Sequence, residues 1–340
     1  MANLHLLVTE IREETPLVRR IVLSSADGSA LPAYTPGSTI TLDIPAIGQR
    51  KYSLVNFVAS QEALTHPMHY CLGVRLSPEG GGGSRFVHEL AIGDHVQAHG
   101  PDNDFALDNS GAPVLLLAGG IGVTPLISKA AFMKAIGRSF RMVYAARSSH
   151  DFAFLDEIKS LAGNQLVLHD DAEKGAMLDL KALFETVGPD ERVHVCGPRP
   201  MLSAAKQEAK LRGWPQEKLR FELFYSLATP ATAVAAPIAA PVVTKTDAAP
   251  TDGSFEIEIK SSGLVLTVPP DKSIVDVLNE AGLDPLYDCN KGECGVCQVG
   301  VLAGEPDHKD FILSESERAE NKLIQICVSR AKSARLVLDL

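Results

Sequence analysis

Residues 287–300 read YDCNKGECGVCQVG and place Cys289, Cys294 and Cys297 within nine positions of a chain that has six cysteines. The other three are Cys71 and Cys196, each alone in an apolar stretch, and Cys327, thirty residues beyond Cys297 in LIQICVSR. A cluster of thiols in a chain with few others points to metal or catalysis more than to disulfides, which need an oxidising compartment.

The spacing is C-x4-C-x2-C with one distant cysteine, the ligand spacing of a plant-type [2Fe–2S] cluster. Cys289, Cys294, Cys297 and Cys327 are the expected ligands. Gly292 and Gly295 suit a loop whose backbone must come close to the cluster, since glycine has no side chain to hold it off. Structural zinc is the competing metal, but zinc sites pair their cysteines twice, and here the fourth is solitary. The plain alternative is a set of buried, unliganded cysteines.

On either side of the cysteines, FEIEIKSS and GLVLTVPP read as a hairpin, SIVDVLNEAG as a helix and RLVLDL as a last strand. Residues 254–340 carry 15 acidic and 9 basic residues. Such a surface can steer docking to a basic partner or simply keep the domain soluble. Before it runs ATPATAVAAPIAAPVVTKTDAAPTDGS, rich in Ala and Pro and without period. It reads as a linker, 228–253, since structureless loops of that length are uncommon inside compact domains.

From Ala112 to the linker, strand patterns alternate with helical ones: APVLLLAGG, TPLISKAAFMKAIG, FRMVYAARSS, DFAFLDEIKSLAG, NQLVLHDD, KALFETVG, VHVCGPRP and RPMLSAAKQEAKLRG. That alternation predicts a parallel sheet with helices on its faces, with TPLISKAAFMKAIG an amphipathic helix. Gly119, Gly120 and Gly122 follow the first strand, with Thr124 expected as N-cap and Pro125 as the first helical residue. The turn is a candidate seat for a pyrophosphate, although Pro125 stands where the dinucleotide fingerprint has its third glycine. Cys196, Gly197 and Pro198 end another strand of the same sheet, and two strand ends can line one crevice. A mere strand–helix joint is the alternative.

The first hundred residues are short alternating runs: HLLVTEI, VRRIVLSS, STITLDI, KYSLVNF, HYCLGVRLS and DHVQAHG. They predict a small antiparallel barrel. In it, QRKYSLVN offers an aromatic and a hydroxyl at a strand end, and GGGGSRFVHEL a glycine run with Ser84 as expected N-cap of a short helix, a second anion seat. A half-buried strand and a surface loop are the alternatives.

The formal charge of −10 argues against nucleic acid and anionic membrane as partners. No signal peptide and no run of 18 apolar residues is visible, so the reading is a soluble cytoplasmic protein.

Taken in order, Arg-x-Tyr-Ser-Leu, Gly-Gly-Ser, Gly-Gly-Ile-Gly-Val-Thr-Pro and Cys-Gly-Pro, then the cysteine loop, resemble the phthalate dioxygenase reductase family. Its members include the reductases of vanillate O-demethylase and carnitine monooxygenase. The resemblance covers the whole chain except the linker. It implies an antiparallel β-barrel flavin domain (1–106), an α/β parallel-sheet NAD domain (107–227) and, after the linker, a plant-type ferredoxin domain of β-grasp fold (254–340).

The resemblance further implies that Arg50, Tyr52, Ser53, Leu54, Val74, Gly82, Gly83 and Ser84 contact the flavin, with Ser53 near its N5. Thr124 lies between flavin and nicotinamide, and Thr124 and Cys196 position the latter. Gly119, Gly120, Gly122, Pro125, Cys196, Gly197 and Pro198 bind NAD. Phe224 covers the flavin ring, with Tyr225 its rival and core packing the alternative. Where relatives often have Arg-Gly-Gly-Ser, this chain has Gly81, which weakens the phosphate site or hands the phosphate's charge to Arg50, Arg75 or Arg85. FMN is favoured over FAD. NADH is favoured, while Arg147 in AARSSHD permits NADPH.

The function implied is the monomeric reductase component of a Rieske-type aromatic-ring or O-demethylating oxygenase. A flavin converts the paired electrons of a hydride into the single ones a cluster accepts. The same chain feeding a cytochrome P450 is a second reading, and a non-catalytic redox sensor a third.

Overall fold

The structure, a computed structural model, describes residues 2–77, 82–224, 253–283, 285–287, 290–292, 295–311, 313 and 315–340. The chain divides into two compact units, Met1–Ser226 and Leu227–Leu340. The expected linker lies, but for Gly253, outside the described residues.

The first unit begins with strands β1 (Ala2–Thr15), β2 (Val18–Ser25), β3 (Thr39–Ile44), β4 (Gly48–Ser53), β5 (His69–Arg75) and β6 (His95–Asp102), with short helices α1 (Glu62–Thr65) and α2 (Gly83–Glu89). The strands form one antiparallel sheet ordered β4-β3-β6-β1-β2-β5. Leu54 bridges Leu72 of β5, so the two edges meet and the sheet closes as a barrel. The period-two pattern explains the interior. Leu4, Leu6 and Val8 alternate inward on β1 to meet Ile21, Leu23, Ile40, Leu42 and Leu72. Each such side chain contributes about 1.5–3 kcal/mol by leaving water.

Five strands follow: β7 (Val114–Gly119), β8 (Phe140–Ala146), β9 (Leu166–Asp170), β10 (Arg192–Cys196) and β11 (Leu219–Glu222). All pair in parallel, in the order β11-β10-β7-β8-β9. Helices α3 (Val123–Ala135), α4 (Leu155–Ala162), α5 (Asp171–Lys174), α6 (Leu180–Glu185) and α7 (Arg199–Leu211) accompany them. Val114 to Ala118 are buried without a break, as a strand covered on both faces requires. The strand β11 was not anticipated: LRFE is too short to show a period.

Helix α3 departs from expectation. It is buried all round, from Val123 to Ala131 and again at Met133, and is not amphipathic. It lies between the sheet and the barrel: Val18, Val55, Cys71 and Phe105 from the barrel side share one core with Val123, Leu126, Ile127 and Ala130. Ser128, on this helix, donates from Oγ to the Leu54 carbonyl (2.6 Å) and accepts from the Asn56 amide (2.8 Å). Nearby, Arg20 lies over the rings of Phe57 and Phe154, at 4.6 and 5.1 Å from their centroids, and pairs with Glu14 (2.6 Å) and Glu157.

The second unit holds β12 (Phe255–Ile259), β13 (Leu264–Val268), β14 (Gln298–Ala303), β15 (Pro306–Asp307), β16 (Leu323–Gln325), β17 (Arg330–Ala331) and β18 (Arg335–Asp339), with helices α8 (Ile274–Glu280) and α9 (Glu315–Glu320). Its main sheet runs β13-β12-β18-β14-β16. Only β12 and β18 are parallel within it; the other neighbours are antiparallel. Helix α8 starts at a capping box, with Ser273 and Asp276 satisfying each other's backbone amides. Its Ile274, Val275, Val277 and Leu278 share a core with Ile257, Ile324, Leu336 and Leu338. A helix packed on a mixed sheet whose central pair is parallel is the β-grasp arrangement. Among the described residues, no helix is long and apolar enough to cross a membrane.

Candidate functional site

Three places gather the residues singled out above: one rim of the barrel, the ends of β7 and β10, and the turns before β14 and after β16.

At the rim, Arg50, Tyr52 and Ser53 end β4 and Leu54 continues into the closing bridge. The start of α2 folds against them. A Cβ on Gly83 would lie 2.9 Å from Arg50 Cγ and 3.1 Å from Tyr52 Oη, so two segments thirty residues apart are in contact. Val74 is buried, and its carbonyl accepts from His88 Nε2 at 2.9 Å. Tyr52 is half-buried, and the water it loses raises its phenol above the usual range and keeps it neutral. Ser53 Oγ is buried and finds no hydrogen-bond partner among the described residues. A buried hydroxyl is almost always paired, so this one fits a group that supplies an acceptor. Ser84 is not the N-cap expected of it. Gly82 holds that position, and Ser84 Oγ accepts instead from the Ser77 amide (3.0 Å). Gly81 and Tyr225 lie outside the described residues.

The strand order reverses between β7 and β10, the switch point at which doubly wound sheets open a crevice. Gly119, Gly120 and Gly122 end one strand, and Cys196, Gly197 and Pro198 the other. A Cβ on Gly122 would lie 2.2 Å from the Cys196 carbonyl oxygen and 2.7 Å from the Gly197 nitrogen. Only glycine lets these two backbones touch. Gly120 faces open space.

The helix begins two residues earlier than the sequence suggested. A 3-10 turn, Gly120–Gly122, precedes it and Gly122 is the N-cap, so Thr124 and Pro125 are the second and third helical residues. Thr124 Oγ1 donates back to the Ile121 carbonyl (3.0 Å). Pro125 is tolerated there because first-turn amides have no helical acceptor. Thr124 Cγ2 would be 2.8 Å from a Cβ on Gly73, which sets it between sheet and barrel.

Cys196 is fully buried, and burial pushes its thiol well above the usual range, with Glu222 adding to the effect. It is therefore a thiol that shapes the crevice, not a nucleophile. Phe224 is half-buried against the core shared by α3 and the sheet. Arg147 is exposed just past β8, its carbonyl accepting from Ala172 at 3.1 Å.

In the second unit, Cys297 and Cys327 come from turns thirty residues apart, and their buried Sγ atoms are 3.0 Å from each other. That is too long for a disulfide, near 2.05 Å. Two buried thiols held together without a bond suit a shared metal group. Cys289 and Cys294 lie outside the described residues, and no third His, Cys, Asp or Glu joins the pair among the described ones. Gly292 belongs to the loop that carries them. It has φ +72°, and a Cβ there would lie 2.9 Å from Asp310 Cα. The Phe311 amide donates to the Gly292 carbonyl at 3.0 Å.

Sequence reasoning missed Asp310, which braces this loop. Its side chain is fully buried, it accepts from the Leu313 amide (2.8 Å), and Arg318 donates to its carbonyl. His308 Nδ1 is 3.7 Å from its Oδ1. The triplet His-Lys-Asp is an ordinary loop sequence and carries no signal of burial. Asp310→Ala is expected to leave the Leu313 amide and the Arg318 guanidinium without their carboxylate and lower stability by about 3 kcal/mol. Iron should also leave the purified protein faster under a chelator. Unchanged melting and iron retention would show that the brace is ornamental.

Comparison with known proteins agrees with this layout. Residues 116–207 match the model of an oxidoreductase NAD-binding domain and residues 257–332 that of a 2Fe-2S iron-sulfur cluster binding domain. The chain is 37% identical to the vanillate O-demethylase oxidoreductase of a Pseudomonas species (strain HR199 / DSM 7063), over 93% of each chain. Its structure resembles that of phthalate dioxygenase reductase, with TM-score 0.64, 30% identity and coverage of 100% of this chain and 98% of that one. It also resembles part of an intact type IV self-sufficient cytochrome P450 monooxygenase, with TM-score 0.63 and 32% identity. There 99% of this chain spans about two fifths, 41%, of the longer protein.

Proposed function

The chain belongs to the phthalate dioxygenase reductase family, a flavin and iron–sulfur oxidoreductase driven by NADH, and we propose that it is the reductase component of a Rieske-type aromatic-ring or O-demethylating oxygenase. It acts as a cytoplasmic monomer that passes electrons from NADH through FMN and a [2Fe–2S] cluster to the oxygenase. Its parts are a flavin barrel (1–106), an NAD domain (107–227), a linker (228–253) and a ferredoxin domain (254–340). The observation that carries the reading is the buried meeting of Cys297 and Cys327 in a chain that also has a switch-point crevice.

A bound flavin would supply the step between two-electron and one-electron transfer. Ser53 Oγ would donate a hydrogen bond to it near N5, which would relieve the hydroxyl's buried, unpaired state. Tyr52, Leu54, Val74 and Phe224 would pack about its ring system, and Arg50, Gly82, Gly83 and Ser84 would hold its phosphate. Thr124 and Cys196 would position the nicotinamide and exclude water. Gly119, Gly120, Gly122, Pro125, Gly197 and Pro198 would take the NAD pyrophosphate, with Arg147 available to the dinucleotide. Cys289, Cys294, Cys297 and Cys327 would hold the cluster's irons as thiolates.

Ser53→Ala makes a signed prediction. In the flavin-free protein, removing an unpaired buried hydroxyl should leave the melting temperature unchanged or raise stability by up to about 1 kcal/mol. Flavin reduction by NADH, followed by stopped flow, should slow by about 100-fold. A variant that is less stable yet equally fast would contradict the role.

A second reading, electron delivery to a cytochrome P450, draws support from the likeness to the self-sufficient monooxygenase. Reconstitution decides between them. The purified chain with NADH should support turnover by a Rieske oxygenase, and not by a P450 freed of its own reductase segment. The bound flavin, released by heat and run against FMN and FAD, settles the cofactor. An NADH titration that bleaches neither flavin nor cluster would end the proposal.

A further inference from the structure

Behind the crevice lies a pair of buried basic side chains with no part in holding flavin, nicotinamide or iron. Lys129, on α3, is wholly buried, as is His194 on β10, two residues before Cys196. Lys129 Nζ is 2.9 Å from His194 Nδ1 and sits 3.0 Å from the centre of the Phe105 ring. The Phe105 and His194 rings lie 5.5 Å apart. Lys129 Cε would be 2.9 Å from a Cβ on Gly37, and the Phe105 carbonyl 2.4 Å. Gly37 and Phe105 belong to the barrel side, His194 and Lys129 to the sheet. One amine therefore touches both halves. The residue before it, Ser128, ties the same helix to Leu54, next to Ser53.

We propose that Lys129 and His194 are positioning residues for hydride transfer: their contact fixes the barrel rim at Ser53 relative to the strand end at Cys196. The proposal rests on the reading that flavin lies at that rim and nicotinamide at that strand end. Hydride transfer needs donor and acceptor held to a fraction of an ångström, and an error of 1 Å can slow it about 100-fold.

The pair is a poor choice for stability alone. Burial drives the basicity of Lys129 well down, with Glu222 and Cys196 opposing and Arg220 assisting; Asp108 also opposes. Burial does the same to His194, helped by Lys129, Arg220, Arg138 and Arg192. The unfolded lysine binds a proton below about pH 10.4, while the folded one resists it. Folding is therefore penalised progressively as pH falls from about 10.4 toward the depressed folded value. A methionine would escape that penalty, so a lysine here needs another reason. His194 Nε2 has no partner among the described residues, which leaves the Nδ1 side as the one that matters.

The test uses the full holoenzyme. Lys129→Met should melt no lower than wild type at pH 7, with the difference in its favour shrinking toward pH 10. Its flavin should be reduced by NADH about tenfold or more slowly, with NADH affinity unchanged. The primary isotope effect with C4-deuterated NADH should become more temperature-dependent. His194→Asn, which keeps a polar atom at the Nδ1 position, should retain the wild-type rate, whereas His194→Gln, which mimics Nε2, should not. Wild-type speed in both Lys129→Met and His194→Gln overturns the proposal, and so does slowing that merely follows lost stability. If the variants do not fold, nitrogen-15 NMR of the wild type decides: His194 should be a neutral imidazole at pH 7, and an imidazolium overturns the dyad. Wild type that fails to reduce flavin with NADH sinks the functional reading instead.

Discussion

Cys327→Ala is expected to yield a protein in which NADH still bleaches the flavin but electrons no longer reach the oxygenase. Cys327 stands in the turn after β16, with its Sγ 3.0 Å from that of Cys297. Removing it takes away a ligand, not an outer-shell partner. Loss of outer-shell partners alone costs about 10- to 100-fold in metal affinity or activity, so loss of a ligand should exceed that. Iron should fall from about two atoms per chain to near none, and the cluster's visible absorbance should go with it. Ferricyanide, which takes electrons from flavin directly, should still be reduced. Ile324, Ile326 and Ile257 share an apolar core with Cys297 and Cys327, and alanine keeps an apolar side chain at that position, so the variant should remain folded. A variant that kept its iron and its delivery rate would remove Cys327 from the ligand set.

The parts of this molecule legible in the sequence are those in which one residue answers to one local rule. Leu4, Leu6 and Val8 alternate because a strand does, and their inward placement follows. VLLLAG reads as a covered strand because nothing polar interrupts it. The cysteine spacing is legible because ligands must reach one centre. Misreadings arose where the third dimension supplied the partner. Helix α3 should have had a polar face, and Ser128 and Lys129 mark where that face would be. The barrel covers it, so Ser128 bonds Leu54 and Lys129 bonds His194. Thr124 and Ser84 have the composition of caps, but a preceding glycine takes each cap position. Their hydroxyls turn to Ile121 and Ser77 instead. Asp310 gave no warning, since its burial is set by the loop carrying Gly292.

Gly122→Ala should be the most damaging single methyl group in the NAD half. The added carbon would stand 2.2 Å from the Cys196 oxygen, 2.5 Å from its carbonyl carbon and 2.7 Å from the Gly197 nitrogen. All three are backbone atoms, so no rotamer relieves the clash. The ends of β7 and β10 must part, although Ala118 and Cys196 are paired just before the turn. Overpacking of this kind costs about 1–3 kcal/mol. The larger consequence is geometric: both strand ends line the crevice, and moving one by about 1 Å should slow hydride transfer about 100-fold. Flavin and iron contents should stay normal, and dithionite should reduce both centres as in wild type, which confines the defect to the nicotinamide. Gly137→Ala is the control. Gly137 lies past the far end of α3, and its new carbon meets nothing within 4 Å, although φ is +69°, so it should lose about 1–2 kcal/mol of stability to strain and far less of its NADH-driven rate. Equal rates in the two variants would mean that the β7–β10 crevice is not where NADH binds.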